Sequence, residues 1–171
     1  MSDLTQLKSK IFTLAEQHGF QQAAITDIDT SKYFEQFSQW VEHGYHGNMS
    51  YLERNQELRK DPGKLHPNTS RIISLRYNYL PEGAQFKSVL ADTSKANISR
   101  YALGKDYHKR IRKKLKSLCK QINDICEQGD FRVFVDSAPI LETAIAEKAG
   151  LGWKGKHTLL LNKEAGSFFF L

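Results

Sequence analysis

The reading of this chain turns on Arg132-Val-Phe-Val-Asp136-Ser-Ala-Pro139, a run of small residues after it, and then Gly150-Leu-Gly152-Trp-Lys-Gly155-Lys156. Residues 132–135 form a short β-branched and aromatic run, the pattern of a buried strand. Asp136 then falls at the carboxyl end of that strand, just before Pro139 opens a helix in its first turn. In folds that mix helices and strands, chemistry gathers where strand ends meet loops. A carboxyl group held there among apolar neighbours has its proton affinity raised and can act as an acid near neutral pH. A second reading competes, because Asp and Ser are common before a helix and Asp136 can simply cap the next one. Spacing alone ranks the cap ahead of the acid.

The glycines downstream invite a different reading. Gly150, Gly152 and Gly155 fit G-x-G-x-x-G, with Lys156 immediately after. That pattern binds dinucleotide phosphates only where a strand precedes it and a helix follows. Here a helix runs into the glycines and a strand over residues 158–162 comes out of them, so a nucleotide fold is excluded. Gly150 is first of all a helix C-terminal glycine, free to take left-handed backbone. What remains is backbone able to approach a flat or bulky ligand closely, flanked by Trp153, Lys154 and Lys156.

Outward from this stretch, 171 residues with 40% hydrophobic content suffice for one domain with a real core. No apolar run approaches a membrane span, and the first residues, Met1-Ser-Asp-Leu-Thr-Gln6, lack the charged and apolar regions of a signal peptide. The two cysteines, Cys119 and Cys126, are expected two turns apart on one helix, too far for a disulfide. A cytoplasmic chain without a Cys-based metal site of its own is the expectation. The formal net charge of +6 points to an acidic partner, with nucleic acid the leading candidate.

In chain order, residues 3–18 read as an amphipathic helix with Leu4, Leu7, Ile11, Leu14 and Ala15 on one face and Gly19 as its stop. Residues 23–28 read as a short strand, and Ser31 starts a second helix towards Gly44. His43 and His46 lie three apart without a third ligand nearby, so surface loop histidines are expected rather than a metal pair. Residues 49–58 read as a short helix, broken by Asp61-Pro62-Gly63. Residues 71–80 alternate apolar and polar and give the clearest strand, and residues 81–97 read as a polar, mobile loop.

The longest helix is expected over residues 106–128, with Ile111, Leu115, Leu118, Ile122 and Ile125 on its buried face. Its other faces carry Lys109, Arg110, Arg112, Lys113, Lys114, Lys116 and Lys120, mostly in the first half, where the helix dipole disfavours cations. A helix arranged for its own stability would place acids there. Two readings stand: a surface that tracks phosphates, or a solvated lysine-rich face. Residues 158–162 and 166–171 are expected to form a hairpin, and a chain stopping inside an apolar strand reads as truncated.

Five motifs together resemble the epoxyqueuosine reductase family. They are Gly47-x-Met49-x-Tyr51-Leu52, Arg59-x-Asp61-Pro62, Gly104-x-Asp106-Tyr107-His108, Val135-Asp136-Ser-Ala-Pro139, and Ala149 through Lys156. The resemblance implies an α+β fold with a mixed sheet flanked by helices, similar to cobalamin-processing and nitroreductase-like folds. It implies that residues 1–171 are one cobalamin-binding catalytic domain, with the family's C-terminal iron–sulfur domain absent. It implies cobalamin and two 4Fe–4S clusters as cofactors, the cluster ligands lying outside this chain. The implied reaction is reduction of epoxyqueuosine to queuosine at the wobble position of tRNA by a cytoplasmic, monomeric enzyme fed by an external electron donor.

The resemblance also assigns roles. Asp136 matches the family's proton donor, which reverses the preference for a cap. Arg59, Ser99, Asp136, Lys156 and His157 match positions at the cobalamin site, although Ser99 stands where some relatives carry Cys and His157 where Asn is common. The basic helix, through Lys109, Arg112, Lys113 and Lys116, would hold tRNA. Asp106-x-His108 superficially matches a D-x-H-x-x-G cobalt-binding signature, but Ile111 replaces its Gly and no metal ligand is assigned. A cobalamin-carrying module without catalysis, a reductive-dehalogenase relative and a plain RNA-binding protein are the competing readings. With two cysteines alone, the chain is expected not to complete the reaction by itself.

Overall fold

The structure is a computed structural model and describes residues 3–80, 83, 86–126 and 129–171. Its centre is β2 (Ile72–Asn78), which pairs antiparallel with β1 (Gln22–Thr26) along most of its length. Near its end, Tyr77 and Asn78 pair instead with β5 (Phe169–Phe170), giving the order β1-β2-β5. Side chains of a strand alternate between faces, and here each face is covered. Ala23, Ile73 and Leu75 face a core of Ile11, Ala15, Phe20, Ile111, Leu118, Ile122 and Val135, supplied largely by α1 (Asp3–Gln17) and α5 (Tyr107–Ile125). Ala24 and Phe169 face a second core with Ala146, Leu151 and Leu160, built from α6 (Glu142–Lys148) and β4 (Leu160–Leu161).

The α+β class holds, but the implied mixed sheet does not: every strand pairing among the described residues is antiparallel. Sequence periodicity and structure agree for α1, α2 (Ser31–Glu42) and α5, with two exceptions on the faces. Leu4 is 77% exposed and Ile125 is 39% exposed, because each lies in a terminal turn of its helix that overhangs the packing partner. Asp106 caps α5 by accepting from the His108 amide at 2.9 Å, as a helix start should. The expected end of that helix at Gln128 lies outside the described residues, as do Pro81, Glu82, Ala84 and Gln85 of the expected loop. Within that loop the structure places a short helix, α4 (Phe86–Ala91).

Several short elements differ from expectation. Residues 49–58 are not one helix but a 3₁₀ turn at Ser50–Leu52 and then α3 (Gln56–Lys60), separated by Asn55 at φ 59°. The expected strand over residues 132–135 does not form, and among the described residues these pair with no other strand. A cavity of about 880 Å³, lined by residues 129–134 on one side and 70–75 on the other, keeps them from the edge of β2. Val135 is nevertheless core, at 1% exposure. The helix after Pro139 begins three residues later, at Glu142.

The expected hairpin of residues 158–162 with 166–171 starts and then splits. Asn162 and Gly166 bridge, but β4 pairs with β3 (Trp153–Lys154) and β5 goes to β2. Covering both faces of β2 wins over extending the hairpin. No helix among the described residues is long and apolar enough to cross a membrane.

Candidate active site

Asp136 has left-handed backbone, φ 55°, rare for a residue with a Cβ and a frequent sign of a functional turn. It is not a helix cap, since α6 begins at Glu142 and its N-cap position is Leu141. Tyr107, the first residue of α5, donates its hydroxyl to Asp136 Oδ2 at 2.6 Å. His108 Nε2 lies 3.5 Å from the same oxygen, while His108 Nδ1 is 3.0 Å from Asp106 Oδ1. The Asp106 cap therefore also orients the imidazole that faces Asp136. Tyr107 in turn is stacked on Phe170, ring centroids 4.1 Å apart, so β5 fixes the phenol.

The surroundings of Asp136 are not the apolar ones that the sequence suggested. Its side chain is 62% exposed, as befits a group meant to meet a ligand. A second carboxyl, Glu142, is half-buried. Burial first, and the nearby Asp136 charge second, push it from its usual 4.5 up to about 7. Burial and the bond to Asp136 likewise raise Tyr107, which keeps it a donor.

The sign of the Glu142 effect is fixed by linkage. An acid whose folded pKa lies above its unfolded value costs nothing while protonated, and destabilises the fold as it ionises between pH 4.5 and about 7. Glu142→Gln should therefore leave stability nearly unchanged at pH 4.5 and raise it by on the order of 2 kcal/mol at pH 8, after allowance for partial solvent access. Urea unfolding of parent and variant at the two pH values reads the difference; equal shifts at both would refute it.

Of the residues expected at the site, the structure brings some together. Ser99 leads into the 3₁₀ turn Arg100–Ala102, whose Tyr101 ring meets Tyr107 edge-on at 6.4 Å. Arg112 reaches Ser137 Oγ at 3.5 Å, carrying the basic face of α5 to the Asp136 turn. Lys109, Arg112, Lys113 and Lys116 lie along that helix with the buried positions Ile111 and Leu118 on its opposite side. Two other cations of α5 are spent on the fold: Lys114 donates to the His18 carbonyl at 2.7 Å, and Arg110 and Lys114 each lie 5.6 Å from the Tyr77 ring.

The others have partners of their own or face solvent. Arg59 is 8% exposed, bonded to the Arg54 carbonyl and set over the Phe37 ring at 5.4 Å. Lys156 and His157 are exposed on the turn between β3 and β4. His46 is not a surface histidine: at 8% exposure it bonds Glu53 at 2.6 Å and meets the Trp40 ring. Among the described residues, no group of three or more His, Cys, Asp or Glu is placed to hold a metal ion.

Sequence reasoning missed Glu142 altogether. Its one signal was a carboxylate in the apolar run Ile140-Leu-Glu-Thr-Ala-Ile145, six residues after Asp136.

An exposed carboxyl held by a phenol and an imidazole, beside an aromatic face and near a second, half-buried carboxyl, is a candidate site in an α+β domain. Residues 59–137 match a family model described as "Epoxyqueuosine reductase QueG, DUF1730". The chain is 53% identical over 166 residues to epoxyqueuosine reductase of Aliivibrio fischeri and 52% identical over 169 residues to that of Escherichia coli K12. These matches cover 97% and 99% of the chain, which spans under half, 45%, of each relative's length. A crystal structure of epoxyqueuosine reductase with an epoxyqueuosine-modified tRNA stem loop superposes with TM-score 0.78 and 25% identity, covering 98% of this chain and 44% of that one. The chain is thus similar along nearly its whole length to curated epoxyqueuosine reductases, of which it spans under half.

Proposed function

We propose that this chain presents the acid of an epoxyqueuosine reductase, with Asp136 giving a proton to the epoxide oxygen of epoxyqueuosine in tRNA. The observation that carries the reading is the open Asp136 carboxyl bonded to Tyr107 at 2.6 Å, in a chain half identical to curated reductases. Removing the oxygen takes two electrons and two protons, and leaves an alkene and water. As the C–O bond breaks, charge builds on oxygen and the Asp136 O–H delivers the first proton to it. The carboxylate left behind is stabilised by the Tyr107 hydroxyl and the His108 imidazole.

Ile98, Tyr101 and Leu103, each about half exposed or more, spread an apolar face around Ser99 beside Tyr107. That face fits a large flat macrocycle such as cobalamin, with Ser99 and Asp136 at its edge. When bound there, cobalamin would supply the reducing electrons. Lys156, His157 and the remaining guanidinium nitrogens of Arg59 are further proposed contacts. A 4Fe–4S cluster takes four thiolates, and two cysteines on one helix do not fit it. No electron step is therefore assigned to these residues, and an external donor supplies the electrons. Action as a cytoplasmic monomer belongs to the same reading.

The test is single-turnover conversion, with the protein in excess over tRNA carrying epoxyqueuosine, cobalamin and a strong chemical reductant. Queuosine released on nucleoside digestion should exceed the protein-free control; equality with the control would remove the proposal.

The cations of α5 lead to the Asp136 turn through Arg112 and Ser137, a path suited to a tRNA backbone approaching the acid. Replacing Arg112, Lys113 and Lys116 together by Gln should weaken tRNA binding and flatten its log–log salt dependence by roughly one unit for each phosphate no longer neutralised. Thermal stability should hardly move, because Ile111, Leu118 and Ile122 on the buried face are untouched. An unchanged salt slope would make this helix an ordinary solvated surface.

A further inference from the structure

The cavity beside β2 and the strand composition of residues 132–135 share one explanation. One edge of β2 pairs with β1 along most of its length. On the other edge, among the described residues, β5 pairs only with Tyr77 and Asn78, and the cavity of about 880 Å³ opens alongside residues 70–75. In an antiparallel strand the N–H and C=O of every second residue point to the same edge. Tyr79 donates to the Phe168 carbonyl at 3.2 Å on the β5 edge, while Arg76 accepts from the Gln21 amide at 2.9 Å on the β1 edge. The N–H and C=O of Ile73 and Leu75 therefore face the cavity. Leu75 is only 8% exposed, and buried backbone groups require partners.

We propose that this cavity is the acceptor groove for one β-strand, an extended segment that carries on from β5 and runs antiparallel to β2, between residues 72–75 and 131–134. The register is already set. Phe170 lies opposite Tyr77, and each step forward along β5 is one step back along β2. Leu171 thus falls opposite Arg76 and itself lines the cavity, and the residues after it fall opposite Leu75, Ser74, Ile73 and Ile72. Side chains opposite one another share a face. The positions opposite Leu75 and Ile73 therefore enter the core of Ile11, Ile111 and Ile122 and call for apolar or small residues.

A strand suits this groove better than a small ligand does. Most charged side chains on its walls are already engaged: His66 lies 3.2 Å from Asp130, Arg132 bonds the Leu65 carbonyl, and Arg71 bonds the Ser70 carbonyl at 2.7 Å. What the walls still offer is a backbone edge, the feature that strand addition uses. The curated relatives, of which this chain spans 45%, have polypeptide to supply the segment. Its presence would give residues 131–134 a pairing partner and set Asp136 just beyond a strand end. The inference stands apart from the reaction proposed for Asp136.

The probe is this chain lengthened by about six residues, those that follow the matched position in the Escherichia coli relative, enough at one residue per pair to pass Ile72. Amide hydrogen exchange is followed by NMR in both proteins. In the chain of 171 residues, the Ile73 and Leu75 amides should exchange fast, and the Ser74 amide, turned to β1, slowly. In the lengthened chain Ile73 and Leu75 should slow by roughly 100-fold or more, and Val133 or Phe134 should slow with them. Cys126, whose thiol is on the cavity wall, should react with a disulfide reagent about 10-fold more slowly, while Cys119 keeps its rate. Should the lengthened chain fail to fold, the same segment added as a separate peptide gives the same readouts.

Unchanged exchange at Ile73 and Leu75 with the segment present, covalent or added, overturns the proposal. So does equal protection from a scrambled segment of the same composition. Ile73 and Leu75 amides already as slow as Ser74 in the shorter chain would mean that the edge is not open. Protection that grows with the concentration of the shorter chain alone would make the occupant a second copy, and would overturn the strand assigned to it.

Discussion

Asp136→Asn is expected to lower the single-turnover rate of epoxide reduction by about 10²- to 10⁴-fold, the usual worth of a positioned general acid. Asn matches Asp in size, and its carbonyl oxygen can still accept the Tyr107 hydroxyl that now lies 2.6 Å from Oδ2. What it lacks is the proton. Because the side chain is 62% exposed and outside both cores, the variant should unfold at the same temperature as the parent. The visible spectrum of added cobalamin should also respond to both proteins alike. Tyr107→Phe gives a graded control: it removes one bond to the carboxylate and keeps the stacking on Phe170. It should cost about 10-fold, in line with a single hydrogen bond to a charged group. An Asp136→Asn protein within a few-fold of the parent would show that the proton comes from elsewhere.

How much of this is legible in the sequence depends on what each element leans upon. The helices α1 and α5 and the strand β2 carry their own signal, since side-chain period and buried face coincide along many residues. Short pieces carry no such signal. Residues 132–135 have strand composition, yet a strand exists only with a partner, and here a cavity lies where the partner edge would be. Residues 166–171 suit a hairpin, but Phe169 and Phe170 face opposite cores across β2, a tertiary demand no local pattern reveals. The site divides in the same way. Tyr107, His108 and Asp136 are marked by motif, and the structure adds that a phenol on α5 and a carboxylate 29 residues later touch. Glu142 has no motif of its own. Burial of its carboxyl is a property of the packed domain, and periodicity cannot show it.

The glycine run yields the sharpest structural prediction. Gly150 and Gly152 look alike in a G-x-G pattern but are needed for different reasons. Gly150 is the left-handed residue, φ 87°, that ends α6: its amide bonds the Glu147 carbonyl at 3.0 Å, and the next amide, Leu151, bonds Ala146 at 3.0 Å. A Cβ there meets nothing within 4 Å, so Gly150→Ala carries only the backbone penalty, about 1 kcal/mol. Gly152 stands where β3 begins, and a Cβ on it would lie 2.0 Å from the Leu161 carbonyl oxygen. That oxygen is backbone of β4, paired across Trp153↔Leu161, and cannot swing aside. The strands must part instead, drawing Leu151 and Leu160, 0% and 3% exposed, out of the second core. Opening a core around two leucines costs about 3 kcal/mol or more. Gly152→Ala should therefore lower the melting temperature by roughly 6–12 °C, several times the effect of Gly150→Ala, by the scaling for a domain of this size. The order is what matters. If both substitutions cost the same, Gly152 is needed for flexibility and not for close approach. If Gly152→Ala is harmless, β3 and β4 do not pack as closely as this fold requires.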